Sequence, residues 1–472
     1  MMNKTNVKQI LKERFGFDSF NPGQEETIQA LQSGKNVLSI LPTGAGKSLI
    51  YQIYSYLINK PIVIVSPLLS LMNDQVERIR YLGSSNVVAI NSEHDWKERK
   101  SILSNLEHYR YIFISPEMLN QKEINQSLAK LNIGLFVVDE AHCISKWGID
   151  FRPDYLSLKS NLKKLGNPQT LMLTATASKK VQDDIIKKIG IDNCSRIIES
   201  VNRPNIFLAV QKTETEMDKQ SNLIYLLTKL KGPGIIYFSS KKMANLMSDM
   251  INLKTKLKSA PYHADLSNSD RFKIQHQFMD NELDVVCATN AFGMGIDKSD
   301  IKFVIHYHLP KDLESYVQEI GRAGRNGQPS IAILMYSDGD EQIALNLLES
   351  SFPTERDYEN YNKHKFNYLD EQTKRLLDFY YQHGYSESQI KQIFKENHSL
   401  KVKDLYKLVD YINYVGCRRK FIQANFDENF DMHDDDCCDF QHDQIDLTPY
   451  EYFITQPTNE FSDWKSIINQ LF

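Results

Sequence analysis

The chain has 472 residues, 41% hydrophobic and 25% charged, with a formal net charge of −4. That length suits roughly three domains, each able to bury a core, and six scattered cysteines (Cys143, Cys194, Cys287, Cys417, Cys437 and Cys438) exclude a disulfide scaffold. There is no basic-then-apolar leader and no apolar run long enough to span a bilayer, so a cytoplasmic location without membrane contact is expected. The slight acidic excess argues against a generally basic nucleic-acid binder, but a groove needs only local positive charge.

Residues 1–36 read as helix, turn, helix. Phe15, Phe17 and Phe20 lead into Asn21-Pro22-Gly23-Gln24. A glutamine here can offer donor and acceptor to an adenine edge, or be a surface residue after a Pro-Gly turn. The apolar run Val37–Leu41 then feeds Pro42-Thr43-Gly44-Ala45-Gly46-Lys47-Ser48, and Leu49-Ile50-Tyr51-Gln52 leads away as a helix. Strand, glycine loop and helix are the parts of a phosphate cradle. Gly44 and Gly46 can take angles closed to other residues, so backbone N–H groups can curl round a phosphate at a helix N-terminus. Lys47 suits the outer phosphates and the Ser48 hydroxyl suits Mg2+. Leu41 stands where the strict P-loop pattern has glycine, so the match is to the shorter T-G-x-G-K-S core.

Short apolar runs recur at 62–65, 111–114, 135–138 and 171–173, with helical patterns between them. Such runs suit parallel strands buried on both faces. Alternating strands and helices predict a doubly wound α/β domain with ligands at the carboxyl ends of its strands. Asp139-Glu140 follows one of these runs. Asp139 at a strand end can hold the Mg2+ shell and Glu140 can orient or deprotonate the attacking water. Residues 143–155 then interleave Trp147, Phe151 and Tyr155 with Lys146 and Arg152. That mixture suits a single-stranded nucleic-acid contact, or a loop whose aromatics simply pack.

After Asn202-Arg203-Pro204-Asn205 breaks the pattern, runs at 235–238, 285–288, 303–306 and 331–334 predict a second α/β unit without a P-loop. Near its end, Arg322 and Arg325 are three apart and share a face if the segment is helical. Facing a P-loop domain, they would fit an arginine finger acting in cis.

In this order the motifs resemble the RecQ family of superfamily 2 DNA helicases. The resemblance runs over about residues 10–340. It is carried by Phe17…Pro22-Gly23-Gln24, Pro42–Leu49, Ser66-Pro67-Leu68-Leu69-Ser70-Leu71-Met72, Asp139–Ser145, Trp147-Gly148, Asp150–Tyr155, Leu173–Ala177, Tyr262-His263-Ala264, Ala291–Lys298 and Gln318–Arg325. Its most specific part is the Trp147–Tyr155 loop. The resemblance implies two RecA-like doubly wound parallel-sheet domains in tandem, at 1–200 and 201–340. A small helical subdomain at 341–445, like a degenerate zinc-binding unit, and a tail at 446–472 would follow.

For the site it implies ATP held by Gln24, Thr43, Gly44, Ala45, Gly46, Lys47 and Ser48, with Mg2+ on Ser48 and Asp139. Glu140, Lys47, Arg322 and Arg325 would carry catalysis. His142 would couple hydrolysis to movement, and Trp147, Phe151 and Arg152 would sense single-stranded DNA. The activity implied is 3′ to 5′ unwinding of tailed or branched duplex DNA by a monomer, in recombination and repair at the nucleoid. Rival readings are an RNA helicase of DEAD-box type, a DNA translocase with little unwinding, and a DNA-binding scaffold with an inactive ATPase. Two positions depart from the family, Asn21 for arginine and Asp265 for glycine.

Residues 341–415 have helical spacing. The Cys-Arg-Arg at 417–419 resembles the opening of a four-cysteine zinc site. Cys417 and Cys438 align with ligands, whereas Asp435 and Gln441 stand at the other two positions and Cys437 is extra. Zinc is therefore a candidate cofactor on an incomplete ligand set, since glutamine is a poor zinc ligand. Residues 427–443 carry eight acidic residues and no Lys or Arg, so phosphate contact is not expected there. Ending at Phe472, the chain is expected to lack winged-helix and HRDC domains, and Trp464, Ile467, Ile468 and Leu471 have the spacing of one docked helix.

Overall fold

The computed structural model describes residues 7–67, 69–91, 94–145, 153–230, 232–293, 298–430, 437–442 and 446–450. Two all-parallel sheets follow one another along them. The first has seven strands: β1 (Asn36–Ile40), β2 (Ile62–Val65), β3 (Val87–Ile90), β4 (Tyr111–Ile114), β5 (Leu135–Val138), β6 (Thr170–Thr174) and β7 (Cys194–Ile198), ordered β3-β4-β2-β5-β6-β1-β7. The second has β8 (Ile206–Thr213), β9 (Gly234–Tyr237), β10 (Ser259–Tyr262), β11 (Val285–Ala288), β12 (Phe303–His306) and β13 (Ser330–Ser337), ordered β10-β11-β9-β12-β13-β8.

Continuous apolar runs form the inner strands because helices cover both faces. Side chains alternate across a strand, so Ile62 and Ile64 of β2 enter one core while Val63 and Val65 enter the other. In β9, Ile235 and Tyr237 face one core and Ile236 the opposite one. Each such side chain contributes about 1.5–3 kcal/mol of burial. Four strands were not expected from the sequence: β3, β7, β8 and β10. All four are sheet edges. An edge strand need not be apolar throughout, and it tolerates Pro261 in β10 because one flank makes no ladder bonds.

The helical region divides its apolar contacts. Tyr358, Leu376, Leu377, Tyr380, Ile390 and Phe394 form a small core of their own. Leu405, Leu408, Tyr411, Ile412, Ile422, Cys417, Cys437 and Cys438 instead join the core on one face of the second sheet. A single helix, Glu387–Asn413, contributes to both. Against the second sheet, Lys219 of the helix Glu216–Lys229 and Asp340 of the helix Asp340–Glu349 form a buried ion pair, with the ammonium 4.9 Å from the Tyr307 ring centroid. At the end of the described chain, Tyr450 packs its ring 6.3 Å from that of Phe207. The helix expected around Trp464, Ile467, Ile468 and Leu471 lies outside the described residues. No described helix is long and apolar enough to cross a membrane.

Candidate active site between the two sheets

Strands β5, β6 and β1 are neighbours in the first sheet, so three segments far apart in sequence end side by side. From β1 the chain enters the P-loop, tied to β6 by Leu41 N donating to Thr174 O at 3.1 Å. Gly44 and Gly46 have φ of 87° and 71°, left-handed values that other residues adopt only at a cost. Gly46 opens the helix Lys47–Leu57, and no side chain caps it. Its first N–H groups are therefore left for a ligand. Ser48 lies in the first turn of that helix, and Lys47 Nζ reaches back to the Leu41 carbonyl at 3.5 Å.

Gln24 sits under this loop rather than open to a base. It is buried, and its Nε2 donates to Ala45 O at 2.7 Å and Gly46 O at 3.0 Å, while its Oε1 accepts from Asn21 N at 2.9 Å. Asn21 adds a longer bond from Nδ2 to Ala45 O, at 3.4 Å. The polar groups of Gln24 thus hold the P-loop's shape. The other departure, Asp265, pairs with Lys241 at 2.5 Å on the surface.

Asp139 and Glu140 follow β5. Glu140 has a left-handed backbone, φ 47° and ψ 51°, which costs about 1–3 kcal/mol in a non-glycine residue and is typical of functional sites. Burial and the neighbouring Glu140 charge raise the Asp139 pKa, against the pull of Lys47. Burial also pushes Glu140 upward, but His142, Lys47 and Arg322 outweigh it and hold that carboxylate low. The two adjacent carboxyls are thus pushed in opposite directions. His142 is buried, with Nδ1 2.9 Å from Thr174 Oγ1 and 3.3 Å from Glu140 Oε2. Thr174 Oγ1 donates to Thr176 O at 3.1 Å, so its remaining capacity is to accept from the imidazole. Thr176 Oγ1 in turn accepts from Gln318 Nε2 at 3.0 Å. A polar chain thus runs from Glu140 into the second domain.

The arginines arrive as turn residues. The helix Leu313–Ile320 stops before them, and Arg322 and Arg325 lie in the turns that follow, interrupted by Gly321, Gly324 and Gly327. The two would share a face only if the segment were helical, and the helix ends at Ile320, before them. Arg322 is buried and donates to the Gly293 carbonyl. Arg325 lies against the P-loop: a Cβ on Gly44 would meet its Cγ at 2.9 Å. Gly321 makes a similar approach, its missing Cβ 3.2 Å from Thr43 Cβ.

Trp147, Phe151 and Arg152 lie outside the described residues. Tyr155, at the end of the same segment, is a core residue, 1% exposed and packed with Leu158 and Leu162. For that position the packing alternative holds. Three other residues were missed. Arg203, read only as part of a break, donates to Thr43 O at 3.1 Å and to three carbonyls of the arginine turn. Arg419 braces the same linker. Cys437 joins Cys417 and Cys438, the three sulfurs lying within 4.8 Å of one another and fully enclosed. Cys437 Sγ is 3.3 Å and Cys438 Sγ 3.8 Å from Cys417 Sγ, and Arg418 N donates to Cys438 Sγ at 3.4 Å. Gln441 is exposed; Asp435 lies outside the described residues. The cysteine loop is pinned to β8, with Leu208 N donating to Cys437 O and Asp439 N to Leu208 O.

Residues 21–184 match the DEAD/DEAH box helicase model and residues 218–327 the helicase conserved C-terminal domain. A chain carrying both, one on each sheet, is a helicase of the two-domain DEAD/DEAH class. The chain is 39% identical over 466 residues to the Bacillus subtilis (strain 168) protein named Probable ATP-dependent DNA helicase RecS, covering 95% of this chain and 94% of that one. It is 36% identical over 364 residues to the ATP-dependent DNA helicase RecQ of the same organism, covering 76% of this chain and 60% of that one. The chain belongs to the RecQ family. A solved structure of the DEAD-box helicase Mss116 bound to ssRNA and UDP-BeF has the same fold, with a TM-score of 0.61 at 18% identity, covering 86% of this chain and 90% of that one.

Proposed function

We propose that the protein is an ATP-dependent DNA helicase that moves 3′ to 5′ on single-stranded DNA and unwinds tailed or branched duplexes. On this reading it acts as a monomer, at the nucleoid, in recombination and repair. The observation that carries the reading is the contact of Arg325 with Gly44, which makes the nucleotide site a property of both domains. Thr43 to Ser48 bind the phosphates, with Gln24 holding the loop that binds them. Asp139, at the end of β5, and the Ser48 hydroxyl, in the first turn of the P-loop helix, are the groups assigned to Mg2+. Held there, the ion would supply positive charge to offset the charge that develops on the phosphates. Glu140, kept anionic, orients and deprotonates the attacking water. Arg325, with Arg322, stabilises the transferring phosphoryl group from the second domain. His142, Thr174, Thr176 and Gln318 form the route by which loss of the γ-phosphate loosens the domain contact. Trp147, Phe151 and Arg152 are assigned to single-stranded DNA from the family pattern alone.

Unwinding of a 3′-tailed duplex is compared with that of a 5′-tailed one, with phosphate release measured on DNA and on RNA. Activity on the 3′ tail with DNA stimulation is expected; unwinding only from the 5′ tail would overturn the proposed direction. Cys417, Cys437 and Cys438 supply three of the four positions of a structural zinc site, and we assign zinc to them. Metal analysis of the purified protein should give near one equivalent, and a content below about a tenth of that ends the assignment.

A further inference from the structure

Arg203 lies in the linker between β7 and β8, and its guanidinium is surrounded by carbonyl oxygens. Nη1 donates to Thr43 O at 3.1 Å and Gly321 O at 3.0 Å; Nη2 donates to Ala323 O at 3.2 Å and Gly324 O at 2.7 Å. Thr43 belongs to the P-loop. The other three carbonyls belong to the turn that bears Arg322 and Arg325. That turn closes the helix Leu313–Ile320, which has no basic residue in its own last turn. The end of a helix leaves carbonyls unpaired and carries the negative end of the dipole. Arg203 brings a cation there from outside the helix, and its planar fork holds the P-loop carbonyl as well.

A second arginine fixes the first. Arg419, buried in the first turn of the helix Arg418–Asn425, donates from Nη1 to Asn202 Oδ1 at 2.5 Å and Arg203 O at 2.9 Å, and from Nη2 to Ile206 O at 2.8 Å and Cys437 O at 3.3 Å. Glu428 of the same unit accepts from Ser200 Oγ at 2.6 Å and Val201 N at 2.8 Å. Asp427 accepts from Lys179 N of the first domain at 3.0 Å. The cysteine-bearing unit therefore grips the linker along four consecutive residues, Ser200 to Arg203.

We propose that Arg203 is a positioning residue for ATP hydrolysis, and that Arg419 and the cysteine loop hold it in place. The proposal rests on reading the cleft as the ATP site. Arg203 does not touch the reacting atoms. It ties the backbone of Thr43 to the backbone of the arginine turn, and so sets the gap that Arg325 must cross. Its loss leaves the P-loop able to bind nucleotide but lets the arginine turn drift.

The test uses the full chain and compares Arg203→Ala, Arg203→Lys, Arg419→Ala and the Arg203→Ala/Arg419→Ala double variant, with Lys47→Ala alongside. DNA-stimulated kcat and KM, affinity for a non-hydrolysable ATP analogue and the melting temperature are measured on each. Arg203→Ala should lower kcat on the order of 10- to 100-fold, as a misplaced catalytic group does, while analogue affinity stays within about threefold of the parent. Arg203→Lys should recover part of the loss, because an ammonium has three donors but no fork. Arg419→Ala should lower kcat less, and the double variant no further than Arg203→Ala alone. A kcat within about twofold of the parent in Arg203→Ala, or analogue affinity falling in step with kcat, overturns the positioning role. Additive losses in the double variant overturn the part given to Arg419. Should Arg203→Ala melt early, Arg203→Lys decides by the same split between kcat and affinity. Full activity in Lys47→Ala would instead overturn the ATP reading itself.

Discussion

The two sheets share one design, but the helix that follows β1 starts differently from those between β8 and β13. After β1, the helix Lys47–Leu57 opens at left-handed Gly46 with no side-chain cap. After β9, the helix Lys241–Lys254 opens at Ser240, whose hydroxyl accepts from Met243 N. The same holds for the other helices between β8 and β13: Thr215, Ser267 and Asp312 cap the helices Glu216–Lys229, Asn268–Met279 and Leu313–Ile320. The P-loop helix leaves amides open for a phosphate; the helices between β8 and β13 close theirs with hydroxyls and a carboxylate, as Asp95 and Ser115 do for two helices of the first sheet. A parallel sheet therefore does not make a nucleotide site by itself. An uncapped start is not sufficient either, since the helices Lys179–Ile189 and Asp340–Glu349 also lack a side-chain cap; at the P-loop it is joined by Gly44, Gly46 and Lys47, and the second domain contributes through a turn instead.

The largest effect should follow from removing what the second domain contributes. Arg325→Ala should lower kcat by about 10³-fold or more, with ATP-analogue affinity nearly unchanged, in DNA-stimulated turnover. Equal loss of affinity and turnover would show that the arginine helps build the pocket, and would blur the division between the domains. Next in size, Lys219→Ala leaves the Asp340 carboxylate buried without its cation. Breaking such a pair costs about 3–5 kcal/mol, read as a lower urea midpoint for the second domain, while analogue binding to the P-loop persists. The smallest effect belongs to Ser240→Ala, which should cost about 1 kcal/mol of stability as a lost N-cap and leave nucleotide stoichiometry at one. A second equivalent of bound analogue would mean that capping alone separates the two sheets.

Much of this was legible because the chemistry is concentrated in short runs. The P-loop, Asp139-Glu140 and the two arginines could be found from residue type and order, and the inner strands from unbroken apolar stretches. Two edge strands, β7 and β10, were hidden by the relaxed composition that one open flank permits, with Pro261 in β10 the clearest case; β3 and the start of β8 are as apolar as the inner strands and were simply overlooked. Gln24 was recognisable as part of the site, but not that its amide would be committed to Ala45 and Gly46. Arg203 and Arg419 were invisible for a different reason. Their partners are backbone carbonyls, which carry no residue-type signal and are brought together only by tertiary structure. Cys437 was set aside as surplus because pattern matching counts positions, whereas sulfur atoms converge in space.

The helix Glu387–Asn413 has a mechanical consequence. Its 27 residues make a rod about 40 Å long. Leu405, Leu408, Tyr411 and Ile412 embed one end in the second domain, and Ile390 and Phe394 carry the small aromatic core at the other. A rotation of the second domain by about 10° would sweep the outer end of such a rod through roughly 7 Å, more than the 5.4 Å pitch of a helical turn. Were the domains to close over a phosphate, the helix would act as a lever arm, turning an ångström-scale movement at the nucleotide into a much larger displacement far from it.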